Sequence, residues 1–427
     1  MEIITSSIAL PMTNGGPVIE NGAIAVELGK IHEFGNFKDL REKYPDAEVK
    51  EHSGVLMPGL VNAHCHLDLV SLYETTMPKE DPLNDQIDFI DNLISSIDFK
   101  QDTDSKIIID GIQRGVQRLI ETGATCIGDM THFEGTFKIL REMGLRALVY
   151  PEILAGRGEI AQQSFEVAIA LLEKYTDATH DRIRVGLGPY SPYLLSKNLL
   201  KIISQHAKDS SIPLVIHAAE SFAEMEFFFD SEGPIATDVF PVMGWKELPP
   251  AHRKTPISFL SEIDFFEAPT TIVGGLHLSG TDFSHLARNL VKVVYCPTSN
   301  KAMKHGTFPL GKLAEHGIPV GLGTECWHSK LGFNMWEEMR LAIVRGSEPL
   351  PMPKDMLKMA TIGSARALGL DHIIGTLEKG KKADYIVVHL PEYDMDNPDS
   401  LYAKLVELTD PQHVKQVVVN GNILKSI

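Results

Sequence analysis

The 427-residue sequence contains no apolar run of about eighteen residues, which excludes a helical membrane span. It is also short of positive charge, with 40 Lys and Arg against 57 Asp and Glu and a formal net charge of −17. That balance repels phosphate backbones, so nucleic acids and anionic membranes are excluded as general partners while a small molecule in a cleft is not. Cysteine is scarce. The four thiols, Cys65, Cys126, Cys296 and Cys326, are widely scattered and lie in or just after apolar runs, which argues for reduced core residues and against a disulfide framework. The N-terminal stretch MEIITSSIALPMTNGG lacks a basic segment and carries Glu2, so no secretory signal is expected and the predicted location is the cytoplasm. Internal repeats and low-complexity segments are absent too. What remains, 43% hydrophobic and 23% charged residues, suits a globular protein with a large core.

From Leu60 onward, short apolar runs alternate with segments of helical period, as when parallel strands are joined by crossover helices. Eight such runs stand out: Leu60–His66, Ala124–Asp129, Arg146–Tyr150, Ile183–Gly188, Pro213–His217, Thr270–His277, Val291–Cys296 and Ile318–Gly323. Eight parallel strands predict an α/β fold built on a closed (β/α)8 barrel of the TIM type. Between them, Ile108, Ile112, Val116, Leu119 and Ile120 form one apolar helical stripe stopped by Gly123, and Ser196 is placed to cap the helix holding Leu199, Leu200, Ile202 and Ile203. The flanks read as short strands (Ile24–Glu27, Tyr385–Val388, Val414–Val419) with turns at Asn14-Gly15, Asn21-Gly22 and Asn420-Gly421. We expect both chain ends to share a small β-sandwich, residues 1–56 plus 372–427, around a barrel of residues 57–371. The acid- and amide-rich stretch Leu69–Asp104 reads as a long loop over the mouth of that barrel.

The chemistry gathers at strand ends. In Asn62-Ala63-His64-Cys65-His66 the alternation of side chains along a strand puts His64 and His66 on one side. A His-x-His pair alone is commonly incidental, but this one ends the first run, His217 ends the fifth, His277 the sixth, and Glu325 follows the eighth. Barrel enzymes keep their catalytic groups at these carboxyl ends. The plain alternative for His217 is a satisfied core histidine, and for Glu220 a solvated charge. Placed over the same mouth, Glu220 is a candidate proton carrier. Three neutral imidazoles and a carboxylate suit one divalent metal, zinc first and iron second, with an open position for a water whose pKa falls to about 7.

The segments PGLVNAHCHLDL, IHAAES, YCPTSN, VGLGTE, NMWEEMR and LGLDHIIGTLEKGKKADYIVV, in this order, resemble the amidohydrolase superfamily, in the branch of methylthioadenosine/adenosylhomocysteine deaminases, guanine deaminases and triazine hydrolases. The resemblance spans nearly the whole chain. HLDL, HAAESFAEMEF and TPISFLSEID look most like aminodeoxyfutalosine deaminases. The resemblance implies metal ligation by His64, His66 and His217, with Glu325 at the place of the family's carboxylate ligand, and Glu220 as the shuttle that moves a proton from the metal water to a ring nitrogen before ammonia leaves. It further implies a single metal, since VGLGPY offers no lysine for a bridging carbamate; beside it, one reading of the residues has His277 in a catalytic role or His328 in a substrate contact covering an imidazole the pattern lacks, with Tyr190 contributing a phenol toward the substrate.

Three positions depart from that pattern: Glu325 replaces an Asp, Gly274 stands where a histidine contacting the attacking water is expected, and Tyr190 replaces a substrate-facing histidine in GPYSPY. The leading expectation is hydrolytic deamination of an aminated nucleoside or related heterocycle, a small-molecule substrate, by a chain free to form homo-oligomers. Two alternatives stay open. One is hydrolysis of another C–N or C–Cl bond by the same metal water. The other, motivated by Gly274 and Glu325, is a metal-binding barrel with a degenerate site.

Overall fold

The computed structural model describes residues 1–76, 87–154, 158–176, 181–245, 247–326, 332–345, 350–390 and 398–427. The strands in chain order are β1 (Glu2–Ala9), β2 (Ile19–Glu27), β3 (Lys30–Asn36), β4 (Glu48–Pro58), β5 (Leu60–Cys65), β6 (Ala124–Thr131), β7 (Arg146–Ile153), β8 (Ile183–Val185), β9 (Gly188–Pro189), β10 (Leu214–Ala218), β11 (Thr270–Gly274), β12 (Lys292–Tyr295), β13 (Val320–Leu322), β14 (Tyr385–Val388), β15 (Val414–Val419) and β16 (Asn422–Ser426). Each of the eight apolar runs contains one or two of them. The fold is mixed α/β with parallel sheets. β5-β6-β7-β8, with β9 beside β7, form one parallel sheet and β10-β11-β12-β13 another.

Parallel bridges pair Cys65 with Glu325 at one side of these two sheets and Leu187 with Leu214 at the other. Alternate positions of strands from both sheets (Val61, Cys126, Leu148, Val215, Val273 and Val294) join one buried cluster with Ala367 and Leu368. The opposite faces pack against the helices. In Ser105–Glu121, capped by Asp104, the stripe Ile108, Ile112, Val116, Leu119 and Ile120 is buried, and Gly123 turns the chain out with φ +94°. Ser196 Oγ accepts from Leu199 N at 3.2 Å, as its position before Lys197–Asp209 requires.

Both chain ends share one seven-stranded sheet of order β16-β15-β14-β4-β1-β2-β3. Asn420 and Gly421, both at positive φ (54° and 78°), make the two-residue turn between β15 and β16. A buried ion pair ties this sheet to β7: Arg146 Nε and Nη2 donate to Asp384 at 2.7 and 3.1 Å, and the same carboxylate accepts from Asn420 N. No helix among the described residues is long and apolar enough to cross a membrane.

Two local expectations are corrected. Leu69–Asp104 is not simply a loop: a short 3-10 turn, Leu67–Leu69, leads into helix Val70–Thr76, and a second helix, Phe89–Asp102, starts at Asp88, whose carboxylate accepts from Ile90 N and Asp91 N. Its Ile90, Leu93 and Ile97 recur at helical spacing and are buried, a stripe masked by the polar residues around it. Asn21-Gly22 lies inside β2, paired along β1, because Asn tolerates the positive φ of 46° found there.

Candidate metal centre

β5 delivers His64, and His66 follows it at the first turn; β10 delivers His217, and Glu325 lies beyond β13. Asn62, fully buried, locks the ends of β5 and β13 together. Its amide donates to Thr324 Oγ1 at 2.8 Å while its carbonyl accepts from Thr324 N at 3.2 Å and His64 N at 3.3 Å. Across this seam His66 N donates to Glu325 O at 2.9 Å.

The result is a ring of four buried side chains. Each of His64, His66, His217 and Glu325 offers a ligand atom, all within 4.8 Å of one another. Glu325 Oε2 lies 3.1 Å from His64 Nε2, and Oε1 lies 3.4 Å from His66 Nε2 and 3.7 Å from His217 Nε2. The extra methylene of Glu325 therefore does not take its carboxylate out of the ring. It reaches in from a left-handed backbone, φ 60°.

The electrostatics suit a cation. Burial pushes His64 down to about 4, so it is neutral. Burial works to lower His217 as well, but Glu325 and Glu220 overcome it and raise the imidazole to about 9. Burial would raise Glu325, and His217 and His64 outweigh it, holding the carboxyl well below the usual range. Among the described residues, both ring nitrogens of His64 and His217, Nδ1 of His66 and Oε2 of Glu325 are buried without a hydrogen-bond partner. Orphaned donors and acceptors at this density are costly unless something binds them, and imidazole nitrogens with a carboxylate oxygen are the donor set of a borderline divalent ion.

Glu220 stands against this ring. Its Oε2 is 3.4 Å from His217 Nδ1, and its backbone N donates to Glu224 Oε2 at 2.9 Å. Burial raises Glu224 to about 8. The loop turns sharply at Ala219, φ 53°, before Ser221 caps the next helix. Tyr190 lays its ring beside His217, centroids 5.2 Å apart, and Lys100 Nζ lies over the Tyr190 ring, 5.6 Å from its centroid. Burial keeps the Tyr190 phenol protonated.

Two expected site residues stand outside the four-residue ring as described. The sixth run ends at Gly274, not at His277, because Gly274 and Gly275, at φ 102° and 67°, turn the chain. His277 N then donates to Ala219 O at 3.0 Å, and its half-buried ring interacts with the backbone of His305 instead of joining the four-residue ring. His328 lies outside the described residues.

Gly274 has a steric role of its own. A Cβ there would lie 2.8 Å from Glu220 Cβ and 3.1 Å from Ala218 O, at a φ that L-residues rarely adopt. The glycine makes room for Glu220. Gly274→His is accordingly expected to cost about 2 kcal/mol or more in stability and to raise no activity. Urea unfolding beside a turnover assay checks this; an unaltered midpoint with faster turnover would contradict it.

Several groups at the site carried no signal that spacing alone reveals. Asp68, in HLDL, is buried and accepts from His132 N at 2.9 Å, with His132 Nδ1 at 2.5 Å. Burial would raise its carboxyl, but Lys100 and His132 hold it well below the usual range. Lys100 pairs with buried Glu152. His305, from a loop the sequence leaves featureless, faces Glu220 with Nδ1 3.7 Å from Oε1.

Among known proteins, the chain is 29% identical over 432 residues (99% of this chain, 93% of the relative) to a 5-methylthioadenosine/S-adenosylhomocysteine deaminase of Desulfitobacterium hafniense strain Y51. The structure of Helicobacter pylori aminofutalosine deaminase with methylthio-coformycin superposes with a TM-score of 0.85 at 22% identity, covering 99% of this chain and 100% of that one. A zinc-bound adenosine deaminase from Xanthomonas campestris gives 0.82 at 22%, covering 99% and 92%. At those identities the two structures establish a common fold. The amidohydrolase family model matches residues 55–424, from β4 to the last strand, and the chain belongs to that family.

Proposed function

We propose that the protein is a metal-dependent hydrolase that deaminates an aminated nucleoside or related heterocycle. The observation that carries this reading is the buried ring of His64, His66, His217 and Glu325 with the Glu220 carboxylate 3.4 Å from His217. These four residues would hold one divalent ion, zinc first and iron second. When bound, the ion supplies Lewis acidity and an activated water at neutral pH.

The chain's own groups do the rest. Glu220 Oε2 is the proton acceptor: it passes one proton of the attacking water to the ring nitrogen as the C–O bond forms, and a second, from the new hydroxyl, to the exocyclic nitrogen, so that the C–N bond breaks and ammonia leaves. Tyr190 offers a flat, protonated phenol beside His217 against which a planar base can rest. His277 and His328 remain candidate contacts for the substrate and its departing ammonia.

For the architecture, we infer that the two parallel sheets close into a (β/α)8 barrel of residues 57–371, with residues 1–56 plus 372–427 as a β-sandwich domain. The bridges at Cys65–Glu325 and Leu187–Leu214 and the buried cluster drawn from both sheets support the closure. A cytoplasmic location agrees with four buried free thiols.

The test is ammonia release by the zinc-loaded protein from 5-methylthioadenosine, S-adenosylhomocysteine, adenosine and aminofutalosine, with products identified by mass spectrometry. Replacement of an amine by a hydroxyl in at least one of them is expected. Stoichiometric metal with no ammonia from any, or loss of another group, would overturn the reading.

A further inference from the structure

His305 is 4% exposed and lies on the far side of Glu220 from the four-residue ring. Its Nδ1 stands 3.7 Å from Glu220 Oε1, just beyond hydrogen-bond length, and 3.5 Å from the Asn300 side-chain amide; Asn300 Oδ1 is otherwise without a partner among the described residues, and with the amide turned so that Oδ1 faces the ring, Nδ1 carries its hydrogen toward both oxygens. Its Nε2 is buried without a partner among the described residues. The ring is held at its back by the edge of Phe89, centroids 5.1 Å apart, and by His305 N donating to Asn300 O at 3.0 Å. His277, placed past the strand end by the Gly274-Gly275 turn, interacts through its ring with the backbone of His305. Burial lowers the pKa of His305 even against the raising effect of Glu220 and Glu325, so the ring is neutral and can keep one N–H.

A phenylalanine would fill this volume beside Phe89 without burying an unpaired nitrogen, so the imidazole costs stability where it stands. Its one acidic partner within 4 Å among the described residues is Glu220. The carboxylate is thus flanked by two imidazoles, His217 at Oε2 and His305 at Oε1, while Gly274 leaves its Cβ unobstructed.

We propose that His305 is a positioning residue for Glu220: its Nδ1–H holds Oε1 and fixes the carboxylate plane, so that Oε2 is presented to the ring and to substrate. This rests on the reading of Glu220 as the proton carrier. A clamp of this kind restricts the carboxylate to the orientation that transfers protons, and the contact is expected to shorten in the substrate complex.

The test compares full-length, zinc-loaded parent with His305→Phe, which keeps the volume and removes the donor, and His305→Asn, whose amide nitrogen stands near the place of Nδ1. For ammonia release from whichever nucleoside of the panel the parent deaminates, kcat is expected to fall roughly 10- to 100-fold in His305→Phe with KM within about threefold. His305→Asn should recover to within about tenfold of the parent, zinc content should stay near that of the parent in both, and the thermal midpoint of His305→Phe should be no lower than the parent's. Equal losses in the two variants, an unchanged kcat in His305→Phe, or a loss confined to KM would overturn the proposal. A second readout needs no turnover: in 15N-histidine spectra of the zinc-loaded protein, the His305 Nδ1 resonance is expected to move on Glu220→Gln, and an unmoved resonance would overturn the proposal. A parent that releases no ammonia while that resonance does move would instead sink the deaminase reading and leave the clamp in place.

Discussion

Glu220→Gln is expected to lower kcat by about 10³-fold while one metal per chain remains bound. The amide has nearly the shape of the carboxylate, so it can stay between His217 Nδ1 and His305 Nδ1 and leave the loop at Ala219 undisturbed. It cannot take a proton at neutral pH. If Glu220 served only to orient His217, as carboxylates commonly do for metal-binding imidazoles, the amide oxygen would still accept from Nδ1 and the loss would be small. Steady-state kinetics with metal analysis separate the two: a variant that keeps a tenth or more of the parent rate contradicts the proton-carrier role.

His217→Ala should empty the centre. The side chain presents Nε2 to Glu325 and Nδ1 to Glu220, so truncation removes a ligand and the group that connects the ring to the proton carrier. Residues that merely orient a ligand cost 10- to 100-fold in metal affinity, so loss of a ligand itself is expected to cost about 100-fold or more, with turnover falling below detection. The variant also leaves a void under the Tyr190 ring. Metal titration by calorimetry measures the first effect directly. Affinity within a few-fold of the parent would show that His217 is not a ligand.

How much of this was legible beforehand depends on the range of the interactions. The eight runs carry their own local evidence, since β-branched and small residues at strand spacing are followed by helical stripes such as Ile108 to Ile120, and each run contains a strand. His64, His66, His217 and Glu325 could be grouped because position at the end of a parallel strand is itself a coordinate, and the structure places their ligand atoms within 4.8 Å. His277 was misplaced because two successive glycines at positive φ end its strand early, and the dihedral of a glycine cannot be read from its neighbours. Phe89–Asp102 was hidden by polar residues on its outer face. His305 and Asn62 act through partners far away in the chain, Glu220 and Thr324, which no spacing rule connects. The substitution at Gly274 reads in sequence as a missing catalytic group, and only the Cβ distance of 2.8 Å shows it as space for Glu220.

The most direct test is anomalous scattering at the zinc edge from crystals of the metal-loaded protein. One ion per chain, bound by nitrogens of His64, His66 and His217 and an oxygen of Glu325, with the Glu220 carboxylate beside it, is the expected map. An ion held elsewhere, or imidazoles turned apart with no peak between them, would contradict the account at its root.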